Sequence, residues 1–426
     1  MRVCYVEFWL LHHSFIETIL SLNESIGKMP ITLEDIAEKA VQDGVFSGAV
    51  FLASDLSGRF SYSKAVGKTS MDSNASNMNV DTVFQLASTT KLMTTIAVLQ
   101  LVEQGRIGLE DDVSDSIPEM AKQGILTGFD DDGEPIIEQR KNPIKLRNLL
   151  THSAGFLYDA MDPRIIQYRM KQGRVPGKGN TLDERQVHPI GFEPDTQWMY
   201  SSSIDWAGRV VETLSGLDLD NYMRQNIWEP LGIENITFWP DKKPSMKEKL
   251  AKLSSRNESS AKVETYQGRF INDGTTEAFG GHGSFGSGSE YIKLLHSILA
   301  DDERLLKKET TALMFRPWLS KSSKASLNKV LANPQIAGFF PGEFPTDIEY
   351  DWSYGGLLSE KDVPGWRGEN TLIWSGMPNH FWFIDRQAGL CGIFCTHVLP
   401  PGDRKVAQVI TAFEKAMHER SRESKL

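Results

Sequence analysis

Ser88 and Lys91 are the two residues in this sequence whose types and spacing most directly suggest covalent chemistry. They stand three positions apart, in the order Ser-Thr-Thr-Lys, at the start of a segment that predicts a helix, so both side chains share one helix face. The positive end of a helix would stabilise an alkoxide at the serine, and the lysine would be its basic partner. The motif is short, so a helix-capping serine beside a solvated lysine is the alternative for this pair taken alone.

Tyr200 and two later segments could complete an active site. A phenol beside a lysine ammonium can be held as phenolate and accept the proton of a serine hydroxyl. Residues 280–285 have the sequence Gly-Gly-His-Gly-Ser-Phe, in which His282 could contact a substrate. Residues 374–376 are Trp-Ser-Gly, and Trp374 offers an apolar surface with one N–H donor. Ordinary roles as buried aromatic residues remain the alternative for Tyr200 and Trp374.

Four ordered blocks resemble the serine β-lactamases, the penicillin-binding proteins and their esterase relatives, class C more than class A. The nucleophile region FQLASTTKLMTTIAVLQLVEQGRIGLEDDV (84–113) is the first. LRNLLTHSAGF (146–156) resembles the L-L-T-H-x-x-G block, and Tyr-Ser-Ser at 200–202, with PLGI at 230–233, resembles the Tyr-x-Asn motif. The glycine-rich segment at 280–285 is the fourth. The resemblance extends from about residue 30 to 420 and implies a fold.

The fold that it implies is an α/β (α+β) sandwich of the β-lactamase and transpeptidase type, an antiparallel sheet flanked by helices with an inserted helical lobe. It also implies that Ser88, Lys91 and Tyr200 are catalytic, the last two removing the serine proton. Ser202 stands where the motif has asparagine, and its hydroxyl would reach less far toward Lys91.

The third motif of the family departs most from its usual form. Penicillin-recognising enzymes have Lys-Thr-Gly on the strand beside the site, where this chain has Trp374-Ser375-Gly376. A tryptophan cannot pair with the carboxylate of a β-lactam, which favours neutral acyl esters or thioesters as substrates. The N–H group of Met377, after Gly376, would form the oxyanion hole together with the N–H of Ser88.

Residues 373–403 and 126–152 are similar to one subset of the superfamily, the lovastatin-type acyltransferases (transesterases) of fungal polyketide pathways and their esterase relatives. This resemblance implies transfer of an acyl group from a small-molecule ester or thioester to an alcohol. It also suggests an acyl carrier protein domain of a polyketide synthase as a partner. Relatives often have arginine where Gln85 stands. Hydrolysis by water is the alternative; a β-lactamase or D-peptidase and a non-catalytic binding protein are weaker ones.

An aromatic strand after Trp374 could form part of the acyl site. Phe381, Trp382 and Phe383 follow it closely, and an apolar wall would favour an organic alcohol over water as acceptor. Side chains alternate along a strand, so Phe381 and Phe383 point to one face and Trp382 to the other. The alternative is that all three are core residues.

Other catalytic and binding classes lack their signatures. Ser88 is not in a G-x-S-x-G elbow, and His152, His380 and His397 are expected to be structural, which argues against a Ser-His-Asp triad. The sequence has neither H-E-x-x-H nor C-x-x-C, and the acidic turn at 130–133 lacks EF-hand spacing, so we expect neither a metal nor a cofactor. With a net charge of −10 and no basic stripe, nucleic acid is not expected as a partner.

Hydrophobic periodicity predicts the elements that would position these residues. The expected helices are 31–43, 89–104 (buried), 145–155, 203–215, 218–228 and 403–419. The expected strands are two hairpins at 47–66 and 125–139 and three strands at 370–375, 380–385 and 389–397. Residues 240–265 are expected to form a surface excursion and residues 320–345 a loop. Strands at both chain ends predict one sheet closed by both termini.

This pattern divides the chain into an N-terminal extension (1–29), a single catalytic domain (30–420) with a helical lobe at roughly 85–270, and a tail (421–426). The apolar start lacks a clear cleavage site and is interrupted by polar residues, so we expect a cytoplasmic protein without a membrane segment. The sparse cysteines, Cys4, Cys391 and Cys395, are expected to be structural thiols in a reducing compartment.

Overall fold

The computed structural model describes residues 31–425, and its centre is a seven-stranded antiparallel sheet. The expectations for residues 1–29 and for Cys4 lie outside the described residues. The strand order is β10-β11-β12-β13-β14-β1-β2, so strands from the two ends of the chain pair with each other where β14 meets β1. These strands are β1 (Gly48–Asp55), β2 (Ser61–Gly67), β10 (Tyr350–Ser353), β11 (Gly356–Ser359), β12 (Leu372–Gly376), β13 (His380–Asp385) and β14 (Leu390–Thr396).

Helices cover both faces of this sheet. The aromatic ring of Phe51 in β1 packs on Phe413 in the last helix, α14 (Arg404–Glu423), at 5.6 Å between ring centroids. Leu52 points to the opposite face, where it meets the start of α10 (Gly288–Ala300). The alternation of side chains along β1 therefore explains why an almost entirely apolar strand is buried on both sides.

The remaining elements lie mostly between β2 and β10. The smaller strands are β3 (Val83–Gln85), β4 (Ile125–Phe129), β5 (Pro135–Glu138), β6 (Ile236–Thr237), β7 (Ser254–Arg256), β8 (Val263–Thr265), β9 (Phe285–Ser287) and β15 (Val398–Leu399). The other helices are α1 (Leu33–Gln42), α2 (Thr90–Glu103), α3 (Pro118–Ala121), α4 (Leu146–Leu150), α5 (Pro163–Lys171), α6 (Leu182–Gln186), α7 (Ser203–Ser215), α8 (Leu219–Met223), α9 (Pro244–Glu248), α11 (Lys308–Leu313), α12 (Lys321–Leu331) and α13 (Pro334–Ala337).

Helix α2 is the buried helix that the sequence predicts. Every residue from Thr90 to Leu101 is buried, including Lys91, and α7 packs against it. A helix that is apolar on nearly all sides can be stable only inside the protein. Lys91 lies in its first turn and Ser88 directly before it, so the site lies where the helical lobe meets the sheet.

The prediction of a loop at 320–345 is wrong, because residues Lys321–Leu331 form helix α12. Ser320 caps this helix by accepting the N–H of Ser323, and the buried Leu327 and Val330 anchor it. Its serine- and lysine-rich surface obscures the helical period, which explains the missed helix. Helix α4 is also shorter than expected: it ends at Leu150, and His152 has a positive φ of 56°.

Cys391 and Cys395 are buried free thiols on β14, as the sequence predicts. Burial raises the pKa of both thiols, which keeps them protonated. None of the helices within residues 31–425 combines the length and apolar character needed to cross a bilayer.

Candidate active site

The backbone that leads to Ser88 is held on both sides by buried groups. The N–H of Gln85 donates to Nε2 of His397 at 3.0 Å, and the carbonyl of Gln85 lies 2.9 Å from Nε2 of His380. Burial lowers the pKa of His380 to about 4 and that of His397 to about 3, so both imidazoles are neutral at physiological pH. Both histidines are therefore positioned to hold the segment that presents the nucleophile.

Ser88 lies in a tight turn of 3-10 helix, Ala87–Thr89, directly before helix α2. Ala87 has a φ of 47°, which is unusual for a residue with a Cβ. The N–H of Leu86 donates to the carbonyl of Ser284 at 3.0 Å, and this contact fixes the entry to the turn. The turn leaves Ser88 partly exposed beside a cavity, whereas its neighbours Ala87 and Thr89 are buried.

The Nζ atom of Lys91 lies within hydrogen-bonding distance of three acceptors. It is 3.4 Å from Oγ of Ser88, 3.0 Å from the phenolic oxygen of Tyr158 and 2.8 Å from the carbonyl oxygen of Gly281. An ammonium group has three N–H donors and no acceptor. The number of these neighbours equals the number of N–H donors on an ammonium group, and Lys91 is only 2% exposed.

Tyr158 is a residue of this site that the sequence analysis missed. Burial raises the pKa of Tyr158 well above its usual value of 10, so its phenol stays neutral and accepts a hydrogen bond from Lys91. Tyr158 lies in the turn after α4, just beyond the L-L-T-H-x-x-G block. A polar aromatic residue so close to a recognisable block was the signal that could have found it.

Tyr200 and Trp374 are joined by a hydrogen bond. The indole Nε1 of Trp374 donates to the phenolic oxygen of Tyr200 at 3.1 Å, and the two ring centroids are 4.9 Å apart. The Nζ atom of Lys91 lies 4.7 Å from the centroid of the Tyr200 ring. Tyr200 therefore has a hydrogen-bond donor at its oxygen and a lysine side chain at its ring.

Gly376 allows the end of β12 to approach the nucleophile turn. A Cβ at position 376 would lie only 2.6 Å from the carbonyl oxygen of Leu86, closer than any real contact. Met377 follows directly and lines the same cavity as Ser88. The assignment of the Ser88 and Met377 N–H groups to an oxyanion hole stays a prediction. The close approach of Gly376 to the nucleophile turn supports it.

The cavity beside Ser88 has a volume of about 450 Å³, within the usual range for a small-molecule site. Aromatic and aliphatic side chains predominate in its walls, and Phe339 and Phe340 contribute an aromatic wall that the sequence analysis missed. The main lining residues are Ser88, Tyr158, Met161, Arg185, Tyr200, Ile271, His282, Phe339, Phe340, Pro341, Trp374, Gly376 and Met377.

Phe381, Trp382 and Phe383 are core residues instead, with exposures of 1% or less. The ring of Phe383 packs against Phe413 and stacks on His418, beneath the sheet. The apolar wall of the cavity therefore comes from the segment after α13, which the sequence patterns assigned to a loop.

His282 and Ser202 occupy different surroundings. His282 is 2% exposed and lines the cavity, with its Nδ1 atom 2.7 Å from Oδ1 of Asn272. The hydroxyl of Ser202 donates to the carbonyl of Leu157 at 3.4 Å, whereas Lys91 has Tyr158 as its side-chain neighbour. The role of His282 toward a substrate stays a prediction.

His152 lies beneath the ring of Tyr200, with 4.8 Å between ring centroids. Burial, followed by the charge of Lys91, lowers the pKa of His152 well below its usual value, so the ring is neutral. Its Nδ1 atom lies 3.2 Å from the hydroxyl of Ser201. Within residues 31–425, His, Cys, Asp and Glu side chains nowhere gather in a group of three or more that could hold a metal ion.

A family model described as beta-lactamase matches residues 33–414. The chain is also similar to a lovastatin esterase of Penicillium rubens, with 38% identity over 86% of this chain and 92% of the relative. It is 34% identical to the monacolin J acid methylbutanoyltransferase of Aspergillus terreus, over 91% of this chain and 96% of the relative.

Among solved structures, a mutant of simvastatin synthase from Aspergillus terreus superposes with a TM-score of 0.86. The sequence identity is 34%, and the match covers 92% of this chain and 97% of the other. These similarities agree with the antiparallel sheet and flanking helices described above.

Proposed function

The chain belongs to the beta-lactamase family and is an enzyme of its acyltransferase and esterase group, and we propose that it transfers an acyl group through an acyl-Ser88 intermediate to an alcohol. The observation that supports this most is that Ser88, Tyr200 and Trp374 line one apolar cavity. Lys91 lies against both Ser88 and the Tyr200 ring, and Trp374 donates to Tyr200.

In the first step, Tyr200 acts as the base. Its phenolate takes the proton of the Ser88 hydroxyl, while the Lys91 ammonium stabilises the negative charge on Oγ. Oγ attacks the acyl carbonyl, and the N–H groups of Ser88 and Met377 bind the resulting oxyanion. When the intermediate collapses, the bond to the leaving thiolate or alkoxide breaks, and Tyr200 returns the proton to the leaving group.

The second step reverses these roles. An alcohol loses its proton to Tyr200, its oxygen attacks the acyl-enzyme, and the bond between the acyl carbon and Oγ of Ser88 breaks. Oγ then recovers the proton from Tyr200, and the free enzyme is restored. An apolar cavity favours an organic alcohol over water because it desolvates the acyl-enzyme.

The acyl donor and the acceptor are small molecules, and the named relatives suggest polyketide-derived ones. The relatives that cover most of the chain include a methylbutanoyltransferase acting on monacolin J acid. Trp374, which carries no positive charge, supports a neutral acyl ester or thioester as donor. A thioester on a carrier domain of a polyketide synthase is a further candidate donor. The test compares the rate at which the carrier-bound thioester acylates Ser88 with the rate for the free thioester.

Hydrolysis is the second candidate, favoured by the 38% identity to a lovastatin esterase. The experiment is to acylate the enzyme with a short-chain acyl thioester and then to offer polyketide and small alcohols in water. Ester formed faster than free acid supports the transferase. If the acyl-enzyme yields only free acid with every alcohol, the esterase assignment replaces it.

Ser88→Ala tests the intermediate itself. The variant should neither turn over p-nitrophenyl butyrate nor show the mass increase of an acyl-enzyme. Its free energy of unfolding should be unchanged. Ser289→Ala is a matched control. Ser289 lies on helix α10, outside the cavity lining, and its hydroxyl donates to Oδ1 of Asp81 at 2.6 Å. A Ser88→Ala protein that still forms the acyl adduct would show that the nucleophile is elsewhere.

A further inference from the structure

A buried carboxylate lies behind the active-site lysine and takes no part in the mechanism above. Asp205 stands in the first turn of helix α7 and is 1% exposed. Its Oδ1 atom accepts the N–H of Gly281 at 2.8 Å, and the carbonyl oxygen of Gly281 accepts a hydrogen bond from Lys91, also at 2.8 Å. The backbone of one residue therefore connects the carboxylate to the lysine.

Glycine is required at position 281 for this contact. A Cβ there would lie 2.5 Å from Oδ2 of Asp205 and 2.8 Å from its Cγ. The preceding carbonyl, that of Gly280, accepts a hydrogen bond from the hydroxyl of Thr94 at 2.6 Å. The glycine-rich segment is thus bonded to helix α2 on one side and to helix α7 on the other, and a bulkier residue would separate them.

The groups that face Asp205 come from several elements. Lys91 on α2 and Arg185 on α6 are cationic, and both favour the ionised carboxylate. Nε2 of His282 lies 3.8 Å from Oδ1. The side-chain amide of Asn272 donates through Nδ2 to the carbonyl of His282, so the Oδ1 atom of Asn272 is free to accept from Nδ1–H of His282. The neutral imidazole of His282 then carries its proton on Nδ1 and none on Nε2. Burial lowers the pKa of His282 well below its usual value, so its ring adds no positive charge. Among the described residues, the cations that act on the carboxylate are Lys91 and Arg185.

We propose that Asp205 is a positioning residue for acyl transfer at Ser88: it holds the Gly281 carbonyl against Lys91 and supplies the negative charge that keeps Lys91 an ammonium. The inference rests on the proposed function, since it concerns the same lysine. Ser88 and Tyr158 are the other two acceptors for this ammonium, and the neutral phenol of Tyr158 supplies no charge. The Tyr200 phenolate loses its charge when it takes the serine proton, whereas Asp205 remains negative throughout the reaction.

Burial is unfavourable for this carboxylate, and that supports a functional role. Burial raises the pKa of Asp205 to about 6, against the opposing effects of Lys91, the Gly281 N–H and Arg185. The carboxylate is therefore charged at pH 8 in surroundings that disfavour charge. Groups retained at the expense of stability are commonly those on which activity depends.

Asp205→Asn and Asp205→Ala separate the two parts of the proposal. Asparagine keeps an oxygen acceptor for the Gly281 N–H and removes the charge, whereas alanine removes both. The measurement is the rate at which a fluorophosphonate labels Ser88, followed by intact mass from pH 5 to 10, together with kcat/KM for p-nitrophenyl butyrate. For Asp205→Asn we expect the alkaline limb of both profiles to move to lower pH by about one unit, because the ammonium loses its counter-charge.

Asp205→Ala should in addition label Ser88 about tenfold more slowly than Asp205→Asn at every pH, since the Gly281 carbonyl is no longer held. Asp351→Asn is the matched control. Asp351 is also 1% exposed, and it accepts the N–H groups of Trp318 and Leu319 away from the cavity. Its profile should coincide with that of the unmodified protein.

An unshifted alkaline limb in Asp205→Asn overturns the electrostatic part, and equal rates for the two Asp205 variants overturn the positioning part. If alanine prevents folding, Asp205→Asn decides the electrostatic part, and Gly281→Ala decides the positioning part, because its Cβ would lie 2.5 Å from Oδ2 of Asp205 and displace the same carbonyl. Gly281→Ala should then label Ser88 about tenfold more slowly than Asp205→Asn, and an equal rate overturns the positioning part. In both cases Ser88 labelling in the unmodified protein remains normal. Absence of that labelling instead overturns the proposed function, and the inference with it.

Discussion

The indole N–H of Trp374 donates to the phenolic oxygen of Tyr200 at 3.1 Å. At this position the penicillin-recognising enzymes that the chain resembles have the lysine of Lys-Thr-Gly. The indole is a donor without a charge, so it can stabilise a phenolate on Tyr200 without attracting the carboxylate of a substrate. Tryptophan at this position therefore removes the positive charge of the motif and keeps a hydrogen-bond donor for Tyr200.

Trp374→Phe should lower kcat by about ten- to a hundredfold and change KM little, because a hydrogen bond to a charged group contributes about 1.5–3 kcal/mol. The phenyl ring keeps the apolar wall and removes only the donor. Trp382→Phe is the matched control: Trp382 lies opposite Trp374 on β13, is 1% exposed, and its indole nitrogen has no partner within the described chain. Equal losses in the two variants would refute the assigned role.

Lys91→Ala and Tyr200→Phe should each reduce kcat by several powers of ten, and the double variant should be barely worse than either single one. Groups that move one proton together are strongly non-additive when removed. The measurement is kcat for p-nitrophenyl butyrate across the four proteins of the cycle. Additive losses would mean that the two residues act on different steps.

Tyr158→Phe should lower kcat by about tenfold, far less than Tyr200→Phe, because it removes one of three acceptors around the Lys91 ammonium and leaves the base intact. Tyr354→Phe serves as control, since Tyr354 is a fully buried tyrosine whose ring stacks on Trp318 instead. A Tyr158 variant as impaired as Tyr200→Phe would reassign the proton transfer to Tyr158.

Phe339→Ala should raise KM for bulky acyl or alcohol substrates by about five- to thirtyfold and leave p-nitrophenyl acetate unaffected. Phe339 is 54% exposed at the cavity, so its truncation removes about 1–2 kcal/mol of apolar contact with a large ligand and little stability. Ile336→Ala, in the adjacent helix α13 and outside the cavity lining, is the control. An unchanged KM for the bulky substrate would place its binding elsewhere.

Asp205→Asn should change how stability depends on pH. The pKa of Asp205 is raised from 3.8 to about 6 in the folded protein, so the folded state binds the proton more tightly than the unfolded state. The unmodified protein therefore gains stability as the pH falls from 7 toward 4, by up to roughly 3 kcal/mol from this group. The variant lacks this gain.

Urea unfolding at pH 8, 6.5 and 5 provides the measurement. The stability of Asp205→Asn relative to the unmodified protein should be greatest at pH 8 and should decrease at each lower pH. A relative stability that increases as the pH falls contradicts the prediction, because it requires a lowered pKa in the folded state.

Several elements follow from the sequence alone because their signals are local. The apolar helix after Ser88 can only be buried, and helix α7 was predicted at its observed bounds, Ser203–Ser215. The hairpin at Gly48–Gly67 and the strands around Trp374 follow from alternation and turn residues. The four motif blocks predict membership of the beta-lactamase family, and the family model that matches residues 33–414 confirms this prediction.

What the sequence by itself determined is the type of chemistry: a serine with a lysine one helical turn away, a tyrosine, and a strand whose usual lysine is a tryptophan. Only the tertiary structure placed Tyr158, Phe339 and Asp205 at this site, since each comes from a segment whose local pattern carries no sign of the others. Contacts between residues far apart in the chain depend on how helices and loops pack on the sheet, and neither periodicity nor motif spacing encodes that packing residue by residue.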